Sequence, residues 1–565
     1  MCPQAEAPVP AERRFPVAER LDQHGRVLEE LSPDSIAEVV EKAAASGAKA
    51  VAVSLLHAYA NPSHEEELGE RLRERFDFVA LSNRVNPEAR EYERTATTVL
   101  SASVMPLVAG YLDRLERVRP ANSRLHLFHS AGGMASPEAL REFPLGLALS
   151  GPAAGVAAAS RVAQALDIGR AISFDMGGTT TDVCLIIDGQ AQIASERSLA
   201  ERPLRQPMVA VESIGAGGGS IARFDHGALC VGPESAGAEP GPACYRRGGS
   251  LPTVTDANLV LGYMDPARAI GGSLTLDIGA ARRALAPLAA SMDMSIEAAA
   301  LGVVKVVNSA MVRALRRITV ERGIDGRQCA LLAFGGAGPM HAVEVARAFG
   351  IARIVVPNCS SAFSALGCAS ARMSYSQQRT VRMAVQDWDA QRLNAVREFL
   401  QSRLCAPLQA AGYRPGEVSV EEVAAIRYRG QSYAIEIANP SFDDPGQLGR
   451  AFFDEHERLY GFATDEPREL VAIRQRASIA SASDAPRQVA AGSARATPKK
   501  TSSCVFDTAG AVPTPRHARS GLGAGHRLSG PAIVEDEWST VIVPPGASLT
   551  VDGFGHLHIE AGTRS

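Results

Sequence analysis

This sequence predicts an α/β fold of several domains. Three observations carry that expectation: its length, an apolar composition poor in aromatics, and an alternation of helical and extended stretches broken by glycine-rich strand ends. At about 150 residues per domain, 565 residues correspond to roughly three to four domains. Hydrophobic residues reach 46% but aromatics only 5%, so the cores must be built from Ala, Val, Leu and Ile against close-packed backbone, which 51 glycines permit. The 58 Lys and Arg and 62 Asp and Glu leave a net charge of −4, which argues against gripping nucleic acid by bulk positive charge. Nine scattered cysteines without a Cys-x-x-Cys pair disfavour a disulfide framework and a zinc finger. The opening residues do not read as a secretory signal. The most apolar run, Leu145 to Ala165, is broken by Ser150, Gly151, Pro152, Gly155, Ser160 and Arg161, so a cytoplasmic protein is expected.

In chain order, residues 13–32 read as a hairpin turning at His24-Gly25. Ser32-Pro33-Asp34 starts a helix whose apolar face is Ile36, Val39, Val40 and Ala43, and Gly47 ends it. Residues 48–56 form a continuous apolar strand, and Asn61-Pro62-Ser63 opens a charged helix over 65–75. This is a β-α unit of a sheet covered on both faces. A strand at 78–81, a long helix over 91–117 and a strand at 124–129 follow, and the alternation continues to about residue 375. From Gln377 the texture becomes α+β, with strands at 381–385, 424–428 and 433–437 and helices over 388–411 and 446–459. Residues 484–503 carry almost no large apolar side chains and read as a linker. Short strands over 527–560 read as a small β module. The expected domains are thus 1–145, 146–376, 377–483 and 504–565.

The most informative segment is Phe174-Asp175-Met176-Gly177-Gly178-Thr179-Thr180-Thr181-Asp182, a polar turn between two apolar strands. Gly177 and Gly178 have no Cβ, so backbone N–H groups can close on phosphate oxygens. Thr179 and Thr180 add hydroxyls, and Asp175 at the strand end can hold the water shell of Mg²⁺. Asp175, Thr179 and Asp182 are therefore the candidate catalytic residues, with Asp175 the candidate metal ligand. A plain β-hairpin would need only the turn residues, not the strand-end Asp with its Thr cluster. Gly215–Ser220 contains Gly217, Gly218 and Gly219, which present amides at a helix N-terminus, close a turn against the nucleotide, or form a flexible connection. Gly335-Gly336-Ala337-Gly338-Pro339 follows a buried strand and opens a helix, leaving bare backbone for a flat base or ribose. Ser150-Gly-Pro-Ala-Ala-Gly155 reads most simply as small-residue packing of a helix on the sheet.

These loops resemble a known family. The Asp175–Asp182 turn is similar to the second phosphate loop of the actin, sugar-kinase and heat-shock chaperone ATPases, and Gly335–Gly338 to their adenosine motif. Six motifs in order resemble the hydantoinase A family: Ser150–Gly155, Phe174–Val183, Ser213–Ser220, Val231–Tyr245, Thr253–Asn258 and Phe334–His341. That family includes ATP-dependent hydantoinases, 5-oxoprolinase and subunits of acetone and acetophenone carboxylases. The resemblance implies an actin-like ATPase core, ATP and Mg²⁺ as cofactors, and a cyclic amide (hydantoin or 5-oxoproline type) or a ketone as substrate. It also implies a hydantoinase B-type partner subunit in a hetero-oligomer. The nucleotide-binding set it implies is Gly177, Gly178, Thr180, Gly217, Gly218, Gly219, Gly335, Gly336 and Gly338. The family's first Asp-x-Gly-Gly-Thr loop does not precede Glu29-Glu30, so the first domain reads as truncated. An alternative follows from that: a non-catalytic scaffold or partner-binding subunit.

Other residues stay open between two readings. Arg90-Glu91-Tyr92-Glu93-Arg94-Thr95 is either a set of surface ion pairs or, through Arg94, a substrate contact. Asp256 and Asn258 sit at a loop-to-helix junction, where Thr255 or Asp256 can cap a helix or Asp256 can meet substrate. His129, at a strand end beside Ser130-Ala-Gly-Gly, is a candidate substrate or metal contact or a structural histidine. Glu234 and Glu239 lie in a Gly- and Pro-rich loop, where paired carboxylates can serve as base or ligand, although nothing in the sequence fixes their geometry. Cys244 and Cys359 have no base at local spacing.

Overall fold

The computed structural model describes residues 7–199, 202–479, 488–492 and 496–562. The chain forms two compact units, one of Met1–Gly151, Ile193–Val209 and Ala371–Ala482, the other of Pro152–Gln192, Ala210–Ser370 and Ser483–Ser565. The segment expected as one domain over 146–376 is therefore interrupted, because Ile193–Val209 belongs with the first unit.

In the first unit, strands Arg20–Leu21 and Val27–Glu29 pair antiparallel. Their turn is closed by Asp22, whose Oδ1 accepts from the amides of His24 and Arg26 at 2.8 and 2.9 Å. Helix Pro33–Ala45 starts where Ser32 accepts from the Ser35 amide, and it buries Ile36, Val39, Val40 and Ala43 as the periodicity requires. Strands Ala50–Val53 and Phe78–Leu81 run parallel, the chain between them passing through helix Ser63–Arg73. Helix Glu91–Val118 packs on both strands.

The same unit holds a four-stranded antiparallel sheet in the order Ser374–Ala384, Arg468–Ile479, Val418–Tyr428, Ile435–Ala438. Helices Ala390–Ala410 and Pro445–Tyr460 accompany it, in agreement with the α+β texture. Its longest strand, Arg468–Ile479, has no counterpart in the sequence reading. The reason is physical: Arg474 and Gln475, on opposite faces of the strand, are buried by hydrogen bonds to Glu436 and Glu422 respectively, so the apolar alternation is masked.

The second unit is organised on a nine-stranded sheet. Its main path runs Glu212–Ile214, Thr181–Ile187, Arg170–Met176, Ala330–Phe334, Arg353–Val356, Leu557–Glu560, Ser548–Val551, Arg527–Ser529. Arg170–Met176, Ala330–Phe334 and Arg353–Val356 are parallel, and the remaining neighbours on this path are antiparallel. Helices Val254–Val260, Ile278–Ser291, Ile296–Val320 and Gly338–Phe349 contribute to one continuous apolar core with it. Helices Glu91–Val118 and Ile296–Val320 have the length and apolarity of a membrane span; in the second, 61% of its most apolar stretch is buried.

Two expectations at the C-terminal end are corrected here. Of the linker over 484–503, residues 484–487 and 493–495 lie outside the described residues, and Lys500–Ser503 begin the strand Lys500–Asp507. That strand belongs to a four-stranded sheet with Gly510–Ala518, Ala532–Glu535 and Thr540–Val543. The tail over 504–565 is not a separate module, because three of its strands extend the nine-stranded sheet. Ile354, Val355 and Val356 are fully buried, and Leu557 and Ile559 complete the sheet on that side.

Candidate functional site

The turn expected to hold phosphate is built by two buried strands. Arg170–Met176 and Thr181–Ile187 pair antiparallel with Asp175 opposite Asp182 and Met176 opposite Thr181. Phe174, Met176, Val183 and Leu185 are buried to 1% exposure or less, which fixes the register and lifts the connecting residues clear of the core. The Gly177 amide donates to the Thr180 carbonyl at 3.0 Å and closes the turn. The amides of Gly178, Thr179 and Thr180 have no hydrogen-bond partner among the described residues, and Gly177, Gly178 and Thr179 are exposed. A Cβ added to Gly178 would meet nothing within 4 Å. Successive unfilled amides on an exposed turn make a concavity suited to an anion. The Thr180 hydroxyl donates to Asp182 at 3.4 Å.

Gly217, Gly218 and Gly219 do not offer amides to a ligand, contrary to the sequence expectation. The Gly218 and Gly219 amides donate to the carbonyls of Gly177 and Gly178 at 3.0 and 2.6 Å, and the Gly217 amide donates to the Ser220 hydroxyl at 2.9 Å. A Cβ on Gly217 would stand 2.6 Å from the backbone of Gly178 and Thr179. These glycines press a second loop against the first and hold its carbonyls, leaving its amides pointing elsewhere. Helix Val254–Val260 braces that second loop in turn: the amide and hydroxyl of Thr255 both donate to the Gly218 carbonyl at 2.8 Å. The cap of this helix is Thr253, in a reciprocal capping box with Asp256. Asp256 is fully buried, and its carboxylate accepts from the amides of Ala243, Cys244 and Thr253 and the Thr253 hydroxyl. It staples the preceding loop to the helix, and the substrate role expected for it is withdrawn.

The third loop touches the first directly. Ala330–Phe334 lies parallel to Arg170–Met176 with Phe334 opposite Asp175. Gly335 has φ +82, and a Cβ there would fall 2.2 Å from Asp175 Oδ1, so only glycine fits. The Ala337 amide donates to the Met176 carbonyl at 3.0 Å. Gly338, at the first turn of helix Gly338–Phe349, is buried against Phe174, while Gly336 is exposed. Two residues missed in the sequence complete this corner: Ser364 donates to Asp175 Oδ2 at 3.3 Å, and the Ser360 carbonyl accepts from the Gly335 amide at 2.9 Å. Burial, and then the facing carboxylate of Asp182, push Asp175 up to about 6 from an ordinary 3.8. Two carboxylates pressed together in this way favour a cation. Among the described residues no cluster of three or more His, Cys, Asp or Glu fits a metal, so a cation here would complete its shell from phosphate oxygens and water.

Comparison with known proteins places this arrangement. Hydantoinase/oxoprolinase models match residues 94–377, with the N-terminal region model over 4–76 and the C-terminal domain model over 381–562. The chain is 32% identical to caprolactamase subunit alpha of Pseudomonas jessenii over 99% of its own length and 83% of that protein. The chain belongs to the hydantoinase/oxoprolinase family. It is also 32% identical to 5-oxoprolinase 1 of Arabidopsis thaliana, covering 95% of this chain but 44% of that protein. Two solved structures agree. The ATP-dependent caprolactamase of Pseudomonas jessenii gives a TM-score of 0.87 at 31% identity over 99% of this chain and 84% of that one. A nucleotide-free acetone carboxylase gives 0.76 at 26% identity over 96% and 81%.

Other residues of this hydantoinase/oxoprolinase chain are structural where a ligand role was weighed. Arg94 is fully buried; it donates to the Ser82 hydroxyl and the carbonyls of Glu88 and Leu55 at 2.8–3.0 Å and pairs with Glu91. Its guanidinium ties a strand end and a helix start together, with four of its five N–H groups engaged inside the fold. His129 donates from Nε2 to the Ser374 carbonyl at 2.8 Å, and its Nδ1 accepts from the Ala131 amide at 3.2 Å. Burial pushes it down to about 4, so it is a neutral structural histidine and the candidate substrate contact is corrected. Glu234 is exposed and pairs with Arg223 at 3.4 Å; Glu239 is exposed too. Gly155 packs where a Cβ would meet Phe334 and Ser364 at 2.8 Å, as the packing reading expects.

The sequence motifs ending in Asn258 and His341 hide a buried relay. His341 Nδ1 donates to Asn308 Oδ1 at 2.8 Å, and Nε2 accepts from Asn258 Nδ2 at 3.1 Å. The carbonyl-type acceptor at Asn308 fixes the tautomer, and burial pushes the imidazole down to about 4. Three helices are joined by it: the one bracing the Gly218 loop, the long core helix, and the one that begins at Gly338.

Proposed function

We propose that this chain is the nucleotide-binding subunit of a cytoplasmic enzyme that uses Mg-ATP to open a cyclic amide. The observation that carries this is the turn Gly178–Thr180, which presents three unfilled amides next to the Asp175/Asp182 pair. A scaffold that had lost nucleotide would have no use for an exposed anion nest beside two opposed carboxylates. The amides of Gly178, Thr179 and Thr180 would hold phosphate oxygens, while Asp175, oriented by Ser364, and Asp182 would hold the cation. The exposed backbone at Gly336 leaves room for the sugar and base. When bound, ATP would supply the γ-phosphoryl group to the amide oxygen with release of ADP, making the ring carbon electrophilic; water would add there, the ring C–N bond would break with the nitrogen leaving protonated, and a second water would hydrolyse the acyl phosphate so formed to the carboxylate and phosphate. Thr179, exposed at the apex of the turn, would offer its hydroxyl to the phosphoryl group.

The substrate class follows the relatives: a lactam, hydantoin or 5-oxoproline, with caprolactamase giving the larger structural likeness, 0.87 against 0.76 for acetone carboxylase. A B-type subunit supplies the later hydrolytic step, since names among the relatives specify subunits. The test is phosphate release from Mg-ATP with a panel of five- to seven-membered cyclic amides and acetone, by the chain alone and with a B-type subunit. Release that depends on a cyclic amide, with the ring-opened amino acid as product, is expected. Release that depends on acetone and bicarbonate would transfer the chain to the carboxylases, and no nucleotide-dependent reaction in any mixture would sink the proposal.

A further inference from the structure

Trp538 is one of two tryptophans in the chain, and 53% of it is exposed. It lies in the short turn between the buried strands Ala532–Glu535 and Thr540–Val543, which the Asp536 amide closes by donating to the Ser539 carbonyl at 3.0 Å. Two contacts fix the ring. The Gly271 amide donates to the Glu537 carbonyl at 3.2 Å. A Cβ built on Gly271 would stand 1.8 Å from Cη2 and 2.1 and 2.2 Å from Cζ3 and Cζ2 of the indole. Flanking-atom distances only slightly longer than that to Cη2 place the point over the ring face, since a point beyond its edge would stand well farther from Cζ2 and Cζ3. The indole therefore lies with one face on the bare backbone of Gly271, while 53% of the residue stays exposed.

The turn that carries it also meets the nucleotide loop. The Trp538 carbonyl is 3.7 Å from the Cβ position of Gly336, and the Ser539 hydroxyl donates to the Gly335 carbonyl at 3.5 Å. Gly335 in turn abuts Asp175, at the mouth of the phosphate turn. The turn that carries the aromatic thus borders the bare backbone of Gly335 and Gly336, which itself abuts the carboxylate of Asp175.

We propose that the open face of Trp538 is the stacking platform for the base of the bound nucleotide. This rests on the nucleotide reading above and adds to it a residue that no glycine motif contains. Base–aromatic stacking is worth about 1–3 kcal/mol by alanine substitution, or roughly 5- to 150-fold in affinity. It is indifferent to the phosphates, so removing the ring should affect nucleotide and not bare polyphosphate.

The experiment uses the full chain as wild type, Trp538→Ala and Trp538→Phe, titrated by calorimetry with Mg-ATP and with Mg-tripolyphosphate. Tryptophan emission is followed in parallel. The expected result is a loss of at least five-fold in ATP affinity in Trp538→Ala, tripolyphosphate affinity unchanged in both variants, and near wild-type ATP affinity in Trp538→Phe. Emission should be quenched by ATP in the wild type and not by tripolyphosphate. ATP binding unaltered in Trp538→Ala would overturn the stacking role while leaving the nucleotide site standing. Equal losses for ATP and tripolyphosphate would overturn it as well, as a distortion of the loop. A wild-type chain that binds neither ligand would remove the underlying reading together with this one.

Discussion

Gly178, Gly335 and Gly217 are chemically identical and do three different things, and substitution separates them. Gly178→Val adds a side chain into open space, exactly where phosphate oxygens would sit, so the variant should melt with the wild type and lose nucleotide binding by calorimetry. Gly335→Ala forces a Cβ onto Asp175 at a positive φ and should destabilise the fold by about 2 kcal/mol or more, seen as a lower Tm. Asp175 gives a pH test. Its folded value of about 6 stands above the ordinary 3.8, so the stability tied to its protonated form is full below about pH 3.8 and is lost as pH rises through about 6. Asp175→Asn should therefore stabilise the ligand-free chain at pH 7.5, by an amount on the order of 1–3 kcal/mol, and this gain should shrink towards pH 4. The same variant should lose Mg-dependent nucleotide turnover. Asp175, Gly177, Gly178 and the Thr cluster were legible because a strand-end carboxylate and a glycine turn are adjacent in sequence. The bracing role of Gly217–Gly219 was not, since it depends on which carbonyls the next loop meets in space. Ser364 and Ser360 carried no local signal at all.

Helix Val254–Val260 transmits that bracing, and its links can be cut one at a time. His341→Leu leaves Asn258 and Asn308 without their buried partner and should cost about 1–3 kcal/mol at pH 7.5 by denaturant unfolding. The wild-type imidazole has a folded value near 4 against an ordinary 6.5, so its contribution is present above about pH 6.5 and lost as pH falls through about 4. The variant should lose part of its acid sensitivity in that window. Elements whose burial follows apolar periodicity were readable, such as helix Pro33–Ala45 and the strands flanking the phosphate turn. Arg468–Ile479 was not, because polar pairing with Glu436 on one face and Glu422 on the other replaces apolar burial at Arg474 and Gln475. Leu557–Glu560 was recognisable as a strand, but its place beside Arg353–Val356, some 200 residues earlier, is a non-local fact that no window of sequence contains.

For the whole molecule, the expectation is an enzyme whose chemistry is divided between chains. Co-expression with a B-type subunit should yield a stable complex by analytical ultracentrifugation, and cyclic-amide opening by the complex should exceed that of this chain alone by at least ten-fold. Equal rates would show that the chain completes the reaction unaided. The claim beneath all of this is that nucleotide phosphate sits on the turn Gly178–Thr180. Hydrogen–deuterium exchange, read on peptides covering 174–184 and 334–339 with and without Mg-ATP, tests it most directly. Amides without a partner on an exposed turn exchange fast, so the account predicts rapid exchange in the free chain, strong protection of both peptides by Mg-ATP, and no protection in Gly178→Val. Protection confined to other regions, or the same protection in Gly178→Val, would contradict it.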